Sequence, residues 1–466
     1  RVHESDKPWM TGNIKAKINQ RQRAYARGDL VRYSQLCDTV RGLISQAKAR
    51  YYNSKAKDLR SSNPAKWYKT INALIGANDT NTRVRIPEIE IQETAEKLQS
   101  VFTKPWANLR NENKVDVNDV NHLLKDIPPR QPSIGQVKSH LKHLNPRKAT
   151  GVDNIPAWIL KHFSEDLAPV VHDIITCSIS QCRYPSLYKH ALITPVPKVT
   201  NPCDIENDFR QISILPQMAK IIEKIQLQLN GPDLKVKNNQ HAFTQGRSTV
   251  SALISIMQKW YDATDNSPSG RKGVHAVFID FRKAFDLVDH NILLEKLSYM
   301  RINKSLWLWI SSFLSSRTQQ VNLNGTLSSI ANCPCGVPQG SVLSPALFNI
   351  HINDLENSFP DDLDIDTTKY ADDCTEHQLV EQGVPSSMQT AIDYVCRWTE
   401  LNKMELNPKK TKDMWICFTD SVQEPPPIQI GDDIIERVKT FKLLGVWCQD
   451  DLKWNEHIGQ ITRKAN

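Results

Sequence analysis

Apolar positions in the first sixty residues recur with helical spacing. Between about Asn19 and Leu59 they step by three or four residues and form one stripe, while Lys and Arg fill the other faces. The stripe consists of Leu36, Val40, Leu43, Ala47 and Tyr51. This pattern predicts a single amphipathic helix, which ends at the breaker Asn63-Pro64. A second, shorter helix is predicted from Trp67 to Ile75.

Polar stretches separate this helical segment from the rest of the chain. The Asn-rich residues 77–82 and 108–121 lack apolar periodicity, so we predict loops there. The pair Pro128-Pro129 marks a boundary, and the apolar spacing that follows predicts a helix from Ile134 to Leu144.

Beyond Gly151 the pattern changes to short strands that alternate with helices. The apolar run from His275 to Ile279 predicts a buried strand that ends at Asp280. Further elements are predicted as helices at Asn291–Met300 and Leu306–Leu314 and as a strand at Gln319–Leu323, which ends at the turn Asn324-Gly325. Mixed strands and helices of this kind predict an α+β fold.

The net charge of +8 lies almost wholly at the N-terminus. Residues 1–60 contain 14 Lys and Arg against 5 Asp and Glu, whereas the remainder is nearly neutral. This imbalance indicates a surface that faces a polyanion, and the alternative is a solvated helix face. With 39% hydrophobic and 24% charged residues, the composition is that of a globular protein. No apolar run approaches the roughly 20 residues of a membrane helix.

The ten cysteines are scattered and form no CxxC pair, so we expect reduced, intracellular thiols. Cys333 and Cys335 flank Pro334, which is poor geometry for a metal site. The chain does not begin with Met, and it stops at Ala465-Asn466. We therefore expect it to be a fragment of a longer polyprotein.

Two places in the sequence put carboxylates where a divalent metal ion could use them. Asp280 ends the predicted strand, and Asp372 and Asp373 lie in Tyr370-Ala371-Asp372-Asp373, between two short runs. Consecutive acids suit a hairpin turn, because neighbouring side chains there need not point to opposite faces of the sheet. An Asp-Asp pair alone is usually a solvated turn, as we expect for Asp361-Asp362 and Asp432-Asp433.

Three carboxylates converge if the hairpin packs beside the strand. At about 4 Å such charges repel by several kcal/mol at intermediate dielectric, and hard cations remove the repulsion. Mg²⁺ binds a few carboxylates together with water and phosphate oxygens. Two ions about 4 Å apart can activate a 3′-hydroxyl and stabilise a leaving pyrophosphate. The sequence therefore favours two Mg²⁺ ions, with Mn²⁺ as the alternative ion.

Three segments resemble motifs of the reverse transcriptases of LINE-type non-LTR retrotransposons. Residues 277–290 (VFIDFRKAFDLVDH) are similar to motif A, residues 336–355 (GVPQGSVLSPALFNIHINDL) to motif B, and residues 370–373 (YADD) to motif C. They occur in the family order and at ordinary spacing, so coincidence is negligible.

Other segments extend the resemblance over nearly the whole chain. Residues 149–153, 197–198, 209–213 and 245–249 resemble the fingers blocks; residues 406–411 resemble motif D, residues 441–457 the primer grip, and residues 7–11 the linker that follows the endonuclease in jockey-like elements. Departures occur at Gln211, where Pro is usual, at Cys374, where Thr is more usual, and at His241-Ala242-Phe243, where a Gly is often found. None of them removes an expected metal ligand.

The resemblance implies which residues hold the metal ions. The expected ligands are Asp280, Phe281 through its backbone carbonyl, Asp372 and Asp373. Asp286 and Asp289 are expected to be helix-start acids rather than ligands.

The resemblance also implies a nucleotide-selecting set. Phe285 lies five residues after Asp280, at the steric-gate position, where a ring would exclude a ribose 2′-hydroxyl; the alternative is a core Phe. Gly340 permits close backbone approach, and the Gln339 amide can contact sugar or base without demanding one sequence. A simple turn with a helix cap is the alternative for these two residues.

Cationic residues are expected around the triphosphate. Lys198 and Arg210 are implied as its clamps, because cations there offset the charge that builds on the leaving group. Solvated surface charge is the alternative. Lys410 is a candidate proton donor to pyrophosphate, with the neighbouring Lys409 and Lys412 as competitors.

The implied fold is a right-hand polymerase of class α+β, preceded by a basic helical extension. We expect a basic helical linker over residues 1–130 after a missing endonuclease, fingers and palm over residues 131–431, and the primer grip with the start of a truncated thumb over residues 432–466. Leu444, Gly445 and Val446 are expected to pack the primer strand, and an ordinary strand core is the alternative.

The implied activity is RNA-directed DNA polymerisation. Its partners would be an RNA template, a DNA primer and deoxynucleoside triphosphates, with no membrane and with the oligomeric state left open. The ribonucleoprotein of such an element implies an intracellular location, in nucleus and cytoplasm. Three alternatives stay open: a group II intron-type reverse transcriptase, a catalytically inactive relative that only binds RNA, and a pseudogene fragment that is never made as protein.

Overall fold

The computed structural model describes residues 9–59, 91–106, 115–199, 202, 204–265 and 272–465. The chain divides into two compact units, Arg1–Arg85 and Ile86–Asn466. The helix predicted at residues 67–75 and the loop predicted at residues 77–82 lie outside the described residues.

In the described residues of the first unit, the helices α1 (Gly12–Ala26) and α2 (Leu30–Leu59) pack against each other. The prediction of one continuous helix was wrong, because Gly28 has a φ of +74° and ends the first helix in the left-handed region. The predicted apolar stripe on α2 is confirmed: Val40 is buried, and the other four residues are half-buried.

The second unit carries the remaining helices. They are α3 (Ile91–Thr103), α4 (Val117–Val120), α5 (Ile134–Lys142), α6 (Ala157–His162), α7 (Ser164–Ser180), α8 (Gln217–Asn230), α9 (Thr249–Thr264), α10 (His290–Tyr299), α11 (Lys304–Leu314), α12 (Ser344–His351), α13 (Met388–Leu401) and α14 (Asn455–Ala465). Short 3₁₀ helices lie at Lys104–Trp106, Ser186–Lys189, Gly231–Asp233, Ala284–Asp286 and Leu355–Ser358. The loop predicted at residues 108–121 was wrong in part, because Asp116 caps the short helix α4.

Polar caps set where several of these helices begin. Ser133 and Gln136 form a reciprocal capping box at the start of α5, and Ser248 does the same with Ser251 at α9. Asn303 accepts a hydrogen bond from the backbone of Ser305 at α11. The helices predicted around α5, α10 and α11 are therefore confirmed, with boundaries that differ by only one or two residues.

Within the described part of the chain, two five-stranded sheets and two small hairpins form the β-structure. The strands are β1 (His190–Pro197), β2 (Phe209–Ile214), β3 (Gly273–Ile279), β4 (Arg317–Leu323), β5 (Thr326–Leu327), β6 (Ala331–Cys333), β7 (Asp366–Tyr370), β8 (Asp373–Val380), β9 (Lys412–Ile416), β10 (Gln429–Ile430), β11 (Asp433–Ile434), β12 (Glu436–Arg437), β13 (Thr440–Leu443) and β14 (Val446–Gln449). One sheet has the order β2-β1-β4-β5 with β6 on β4, and the other has the order β12-β9-β3-β8-β7. The predicted α+β class is confirmed as a mixture of helices and mixed sheets.

The central strand β3 is covered on both faces. Val277 and Ile279 belong to the larger core, with residues of α5 to α8 and α10 to α13, whereas Ala276 and Phe278 belong to a second core with α9, β9, β13 and β14. Alternate side chains thus enter different cores, which explains why this strand has a continuous apolar run instead of an alternating one.

None of the helices in the described ranges combines the length and apolar character needed to cross a bilayer. The nine cysteines that the structure describes form no disulfide.

Candidate active site

The first candidate carboxylate lies at the end of β3. All seven residues of that strand are buried, and the chain becomes half-buried at Asp280. The apolar run therefore fixes the strand in the core, and the side chain of Asp280 emerges at its edge.

The other two carboxylates lie at the turn between β7 and β8. Tyr370 pairs with Asp373, so Ala371 and Asp372 form a two-residue turn, in which Ala371 has a φ of +57°. Strand β8 also pairs with β3, and in that antiparallel pair Ile279 lies opposite Cys374. The next position along each antiparallel strand puts Asp280 beside Asp373.

Residues 239–242 brace this turn from behind. Gln240 is fully buried, and its Oε1 accepts hydrogen bonds from the backbone N–H groups of Ala371 and Ala242, each at 3.0 Å. The backbone of Lys369 exchanges hydrogen bonds of 2.8 Å with the backbones of Asn239 and His241. The turn is therefore held by a segment that lies far away in the chain.

The three carboxylates influence one another electrostatically. Desolvation, followed by the charges of Asp372 and Asp280, raises the pKa of Asp373 to about 6. Desolvation also raises the pKa of Asp372; Asp280 adds to the rise, and Arg210 opposes it. Within the described ranges, no group of three or more His, Cys, Asp or Glu side chains is arranged to hold a metal ion. Metal binding here would draw together carboxylates that repel one another without a cation.

Asp280 is held by the segment that resembles motif D. The side-chain amide of Asn407 donates a 2.9 Å hydrogen bond to Asp280 Oδ2, and its backbone N–H donates to the Asp280 carbonyl at 2.8 Å. The backbone N–H of Asp280 donates to Thr411 Oγ1 at 3.2 Å. These contacts fix the backbone and one carboxylate oxygen of Asp280. Phe281, whose backbone carbonyl is a predicted ligand, pairs with Leu406 in an isolated antiparallel β-bridge.

Phe285, in the segment that resembles motif A, packs against the segment that resembles motif B. Its ring stacks on Phe348 of α12, with centroids 4.4 Å apart and planes at 15°. Its carbonyl accepts a 2.8 Å hydrogen bond from the backbone of Val337. A side chain at Gly336 (φ +80°) would meet the Asp286 carbonyl at 2.6 Å, so only glycine allows this close approach.

Gln339 and Gly340 are held on two sides. The side-chain amide of Gln339 donates a 3.0 Å hydrogen bond to Asp286 Oδ1. The backbone carbonyl of Gln339 accepts a 2.7 Å hydrogen bond from the backbone N–H of Ser213 on β2. A side chain at Gly340 (φ +133°) would meet the Ser213 carbonyl at 2.3 Å. Asp289 caps α10 as predicted, whereas the buried Asp286 is the partner of Gln339. The pKa of Asp286 is raised by burial.

A cationic cluster lies beside these loops. Val196 pairs with Arg210 across β1 and β2, which puts Arg210 near Lys198. Desolvation, and then the positive charges of Lys410, Arg210 and Lys283, lowers the pKa of Lys198. Lys283 was not singled out from the sequence, although it lies within the motif A segment. Cations that repel one another in this way form a positively charged surface that suits a polyphosphate.

The other two lysines of the motif D segment differ from Lys410. Lys412 is mostly buried, and its Nζ donates to Glu436 at 2.8 Å and to the Lys409 carbonyl at 2.7 Å. Lys410 is exposed, and its charge acts on Lys198. Lys412 therefore fastens β9 to β12, and Lys410 is the lysine that faces the cationic cluster.

The residues predicted to pack a primer form the tip of a hairpin. Leu444 and Gly445 connect β13 to β14 with φ values of +48° and +93°, and Val446 begins β14. Phe441 of this hairpin stacks on Phe278 of β3 with centroids 4.0 Å apart. The hairpin is thus anchored to the strand that carries Asp280, while Gly445 is exposed.

A model of the reverse transcriptase (RNA-dependent DNA polymerase) family matches residues 196–448, more than half of the chain. The chain is 26% identical over 347 residues to an RNA-directed DNA polymerase from the mobile element jockey of Drosophila melanogaster, with 72% of this chain and 37% of the relative covered. It is 26% identical to a probable RNA-directed DNA polymerase from transposon BS of the same organism, with 74% and 38% covered.

A third relative is a probable RNA-directed DNA polymerase from transposon X-element, also of Drosophila melanogaster. It is 23% identical, with 83% of this chain and 43% of the relative covered. The chain thus spans about two fifths of the length of these relatives, and the resemblance to jockey-like elements is confirmed. On the family match, this chain belongs to the reverse transcriptase (RNA-dependent DNA polymerase) family.

Proposed function

We propose that this chain is an RNA-directed DNA polymerase that extends a DNA primer 3′-hydroxyl along an RNA template. The observation that carries the proposal is the juxtaposition of Asp280, at the end of a buried strand, with Asp372 and Asp373 in a braced turn. Family membership and the named relatives support the same activity.

The right-hand architecture assigns a role to each sheet. The sheet β12-β9-β3-β8-β7 would be the palm, because it carries all three carboxylates. The sheet built on β1, β2 and β4 would belong to the fingers, because it carries Lys198 and Arg210 near the candidate triphosphate site. The hairpin β13–β14 would be the primer grip, and α14 the start of a thumb.

Asp280, Asp372 and Asp373, with the Phe281 carbonyl, are the residues that would hold two Mg²⁺ ions. Their fit rests on the donor set and on the raised pKa of Asp373, since close carboxylates are the ligands that hard cations prefer. When bound, such ions lower the pKa of the attacking hydroxyl and neutralise the departing pyrophosphate. Asn407 would keep the Asp280 carboxylate aimed at this site.

The remaining residues would bind and select the substrate. Lys198 and Arg210 would clamp the triphosphate, and Lys410 would hold a proton for the leaving pyrophosphate. Phe285, fixed by its stack on Phe348, would close the space beneath the sugar 2′-position. Together with its template RNA, the protein would form a ribonucleoprotein. Because the primer would be nicked chromosomal DNA, this ribonucleoprotein would be found in the nucleus as well as in the cytoplasm.

Primer extension on a defined RNA template, with Mg²⁺ and deoxynucleotides, tests the proposal. We expect template-directed DNA from the wild-type chain and none from Asp373→Ala, while Asp362→Ala, which removes an exposed turn carboxylate elsewhere, keeps the activity. RNA binding that falls with salt, without incorporation by this chain or by a C-terminally extended one, would favour the inactive RNA-binding alternative.

A further inference from the structure

We propose that Glu223, a buried carboxylate on α8, is a positioning residue for the nucleotide-selecting loop. This loop, residues 337–343, contains Gln339 and Gly340 and leads into α12. Glu223 has an exposed fraction of 0% and lies in none of the segments that marked the family. The inference rests on the proposed function, since it assigns the carboxylate a part in binding the incoming nucleotide.

The Glu223 carboxylate is fully engaged by hydrogen bonds. Its Oε2 accepts from Ser341 Oγ at 2.7 Å, from the Val342 backbone N–H at 2.6 Å and from the Leu343 backbone N–H at 3.2 Å. Its Oε1 accepts from the Tyr184 hydroxyl at 3.0 Å. A carboxylate in a protein interior is costly unless donors of this number and quality surround it.

The donors to Oε2 come from the last three residues of the loop, directly before α12. Backbone N–H groups at a helix start have no partner within the helix, and the helix dipole favours a negative charge there. Leu343 makes no side-chain cap, and Ser341 Oγ accepts from the backbone N–H groups of Leu343 at 3.1 Å and Ser344 at 3.2 Å. Glu223 therefore adds a charged acceptor from α8 to this local cap and accepts the Val342 N–H.

The same loop is fastened at its other end by independent contacts. Ser213 donates to the Gln339 carbonyl, and the Gln339 amide donates to Asp286. Gln339 and Gly340 thus lie between one attachment to β2 and a second attachment to Glu223. Loss of the second attachment would make the segment after Gly340 more mobile. Gln339 would then be held less firmly in the position from which it contacts the nucleotide.

Glu223 also connects the loop to the triphosphate cations through the backbone. Strand β2 carries Arg210 and runs through Pro216 into α8, so the strand and the carboxylate belong to one continuous piece of structure. The inner face of α8 is buried in the larger core, with Ile222 and Ile225 fully or almost fully buried. Glu223 is therefore held on a firmly packed helix that directly follows the strand that carries Arg210.

Steady-state incorporation with the full chain tests this role. For Glu223→Ala we expect the KM for deoxynucleotide to rise about tenfold, because several charge-assisted hydrogen bonds are lost at once. We expect kcat and the Kd for template–primer to stay within about twofold, since the three Asp and the template surface are untouched. Glu223→Gln, which can still accept from the loop, should restore most of the KM.

Tyr184→Phe is the matched control, since it removes the hydroxyl that donates to Oε1 and leaves every loop donor in place; it should leave the KM unchanged. If Glu223→Ala does not fold, Glu223→Asp decides, because it withdraws the carboxylate from the loop and leaves the local cap made by Ser341 Oγ in place; we expect about a threefold rise in KM. An unchanged KM in the folded variant, or a KM that rises only together with the template–primer Kd, overturns the inference.

Amide hydrogen exchange separates this inference from the proposed function. In Glu223→Ala we expect the amide of Val342, which donates to Glu223, to exchange at least tenfold faster than in the wild type, with Ala371 unchanged. If neither the wild-type chain nor a C-terminally extended one incorporates nucleotide, the proposed function fails, while the exchange rates still show whether Glu223 holds the loop. Equal exchange at Val342 in the variant and the wild type would overturn the positioning role by itself.

Discussion

Replacement of Asp373 by Asn should make the metal-free protein more stable at pH 8. The carboxyl titrates near pH 4 in an unfolded chain, whereas desolvation and the charges of Asp372 and Asp280 raise its pKa in the folded protein to about 6. Between these values the folded state binds more protons than the unfolded state, so stability from this group falls as the pH rises from 4 to 6. Above pH 6 the ionised Asp373 carboxylate destabilises the folded state by its full amount, and Asn, which carries no charge, does not.

The size of the penalty follows from the two pKa values. A difference of about two pH units corresponds to about 3 kcal/mol. Because Asp373 is exposed, solvent screening reduces this figure to about 1 kcal/mol. Urea unfolding at pH 8, in low salt and with EDTA, should therefore show Asp373→Asn to be more stable by about 1 kcal/mol, and the difference should vanish at pH 4.

Added Mg²⁺ should reverse the order at pH 8. An ion that binds only the folded wild type stabilises it in proportion to the logarithm of its concentration above Kd, and the Asn variant lacks one of the proposed ligands. Asp362→Asn, at an exposed turn, is the control and should show neither effect. A metal-free wild type that is more stable than Asp373→Asn at pH 8, or a difference that does not change with pH, would refute the reasoning.

Three further changes test other parts of the site. Phe285→Ala should lower the preference for deoxynucleotides over ribonucleotides at least tenfold in a competition assay, because it opens the space under the sugar; unchanged discrimination would make Phe285 a core residue only. Lys410→Ala should slow single-turnover incorporation by about 10²-fold, and an equal loss in Lys409→Ala would remove the specific role. Gln240→Leu should lower the free energy of unfolding by about 2–4 kcal/mol, because it leaves the buried N–H of Ala371 and that of Ala242 without an acceptor; calorimetry that detects no loss would contradict this.

The sequence by itself determined the features that depend on local patterns. The apolar run from His275 to Ile279 predicts a buried strand, and an acid at its end must leave the core, so the placement of Asp280 followed directly. Adjacent acids at Asp372-Asp373 required a turn, and that turn is present. Gly28 was also a local signal, because glycine readily adopts the left-handed conformation that ends a helix.

Only the tertiary structure decided what holds these residues in place. Gln240 lies 131 positions before Ala371, Asn407 lies 127 positions after Asp280, and Glu223 lies 118 positions before Ser341. In the sequence each of the three is one polar residue among many, and a polar side chain in an amphipathic helix or a loop is normally solvated. A hydrogen bond needs its two groups within about 3 Å and correctly oriented, and no spacing pattern encodes that distance between remote segments. Local periodicity therefore predicted where the carboxylates emerge, while the packing of distant segments decided which buried polar groups brace them.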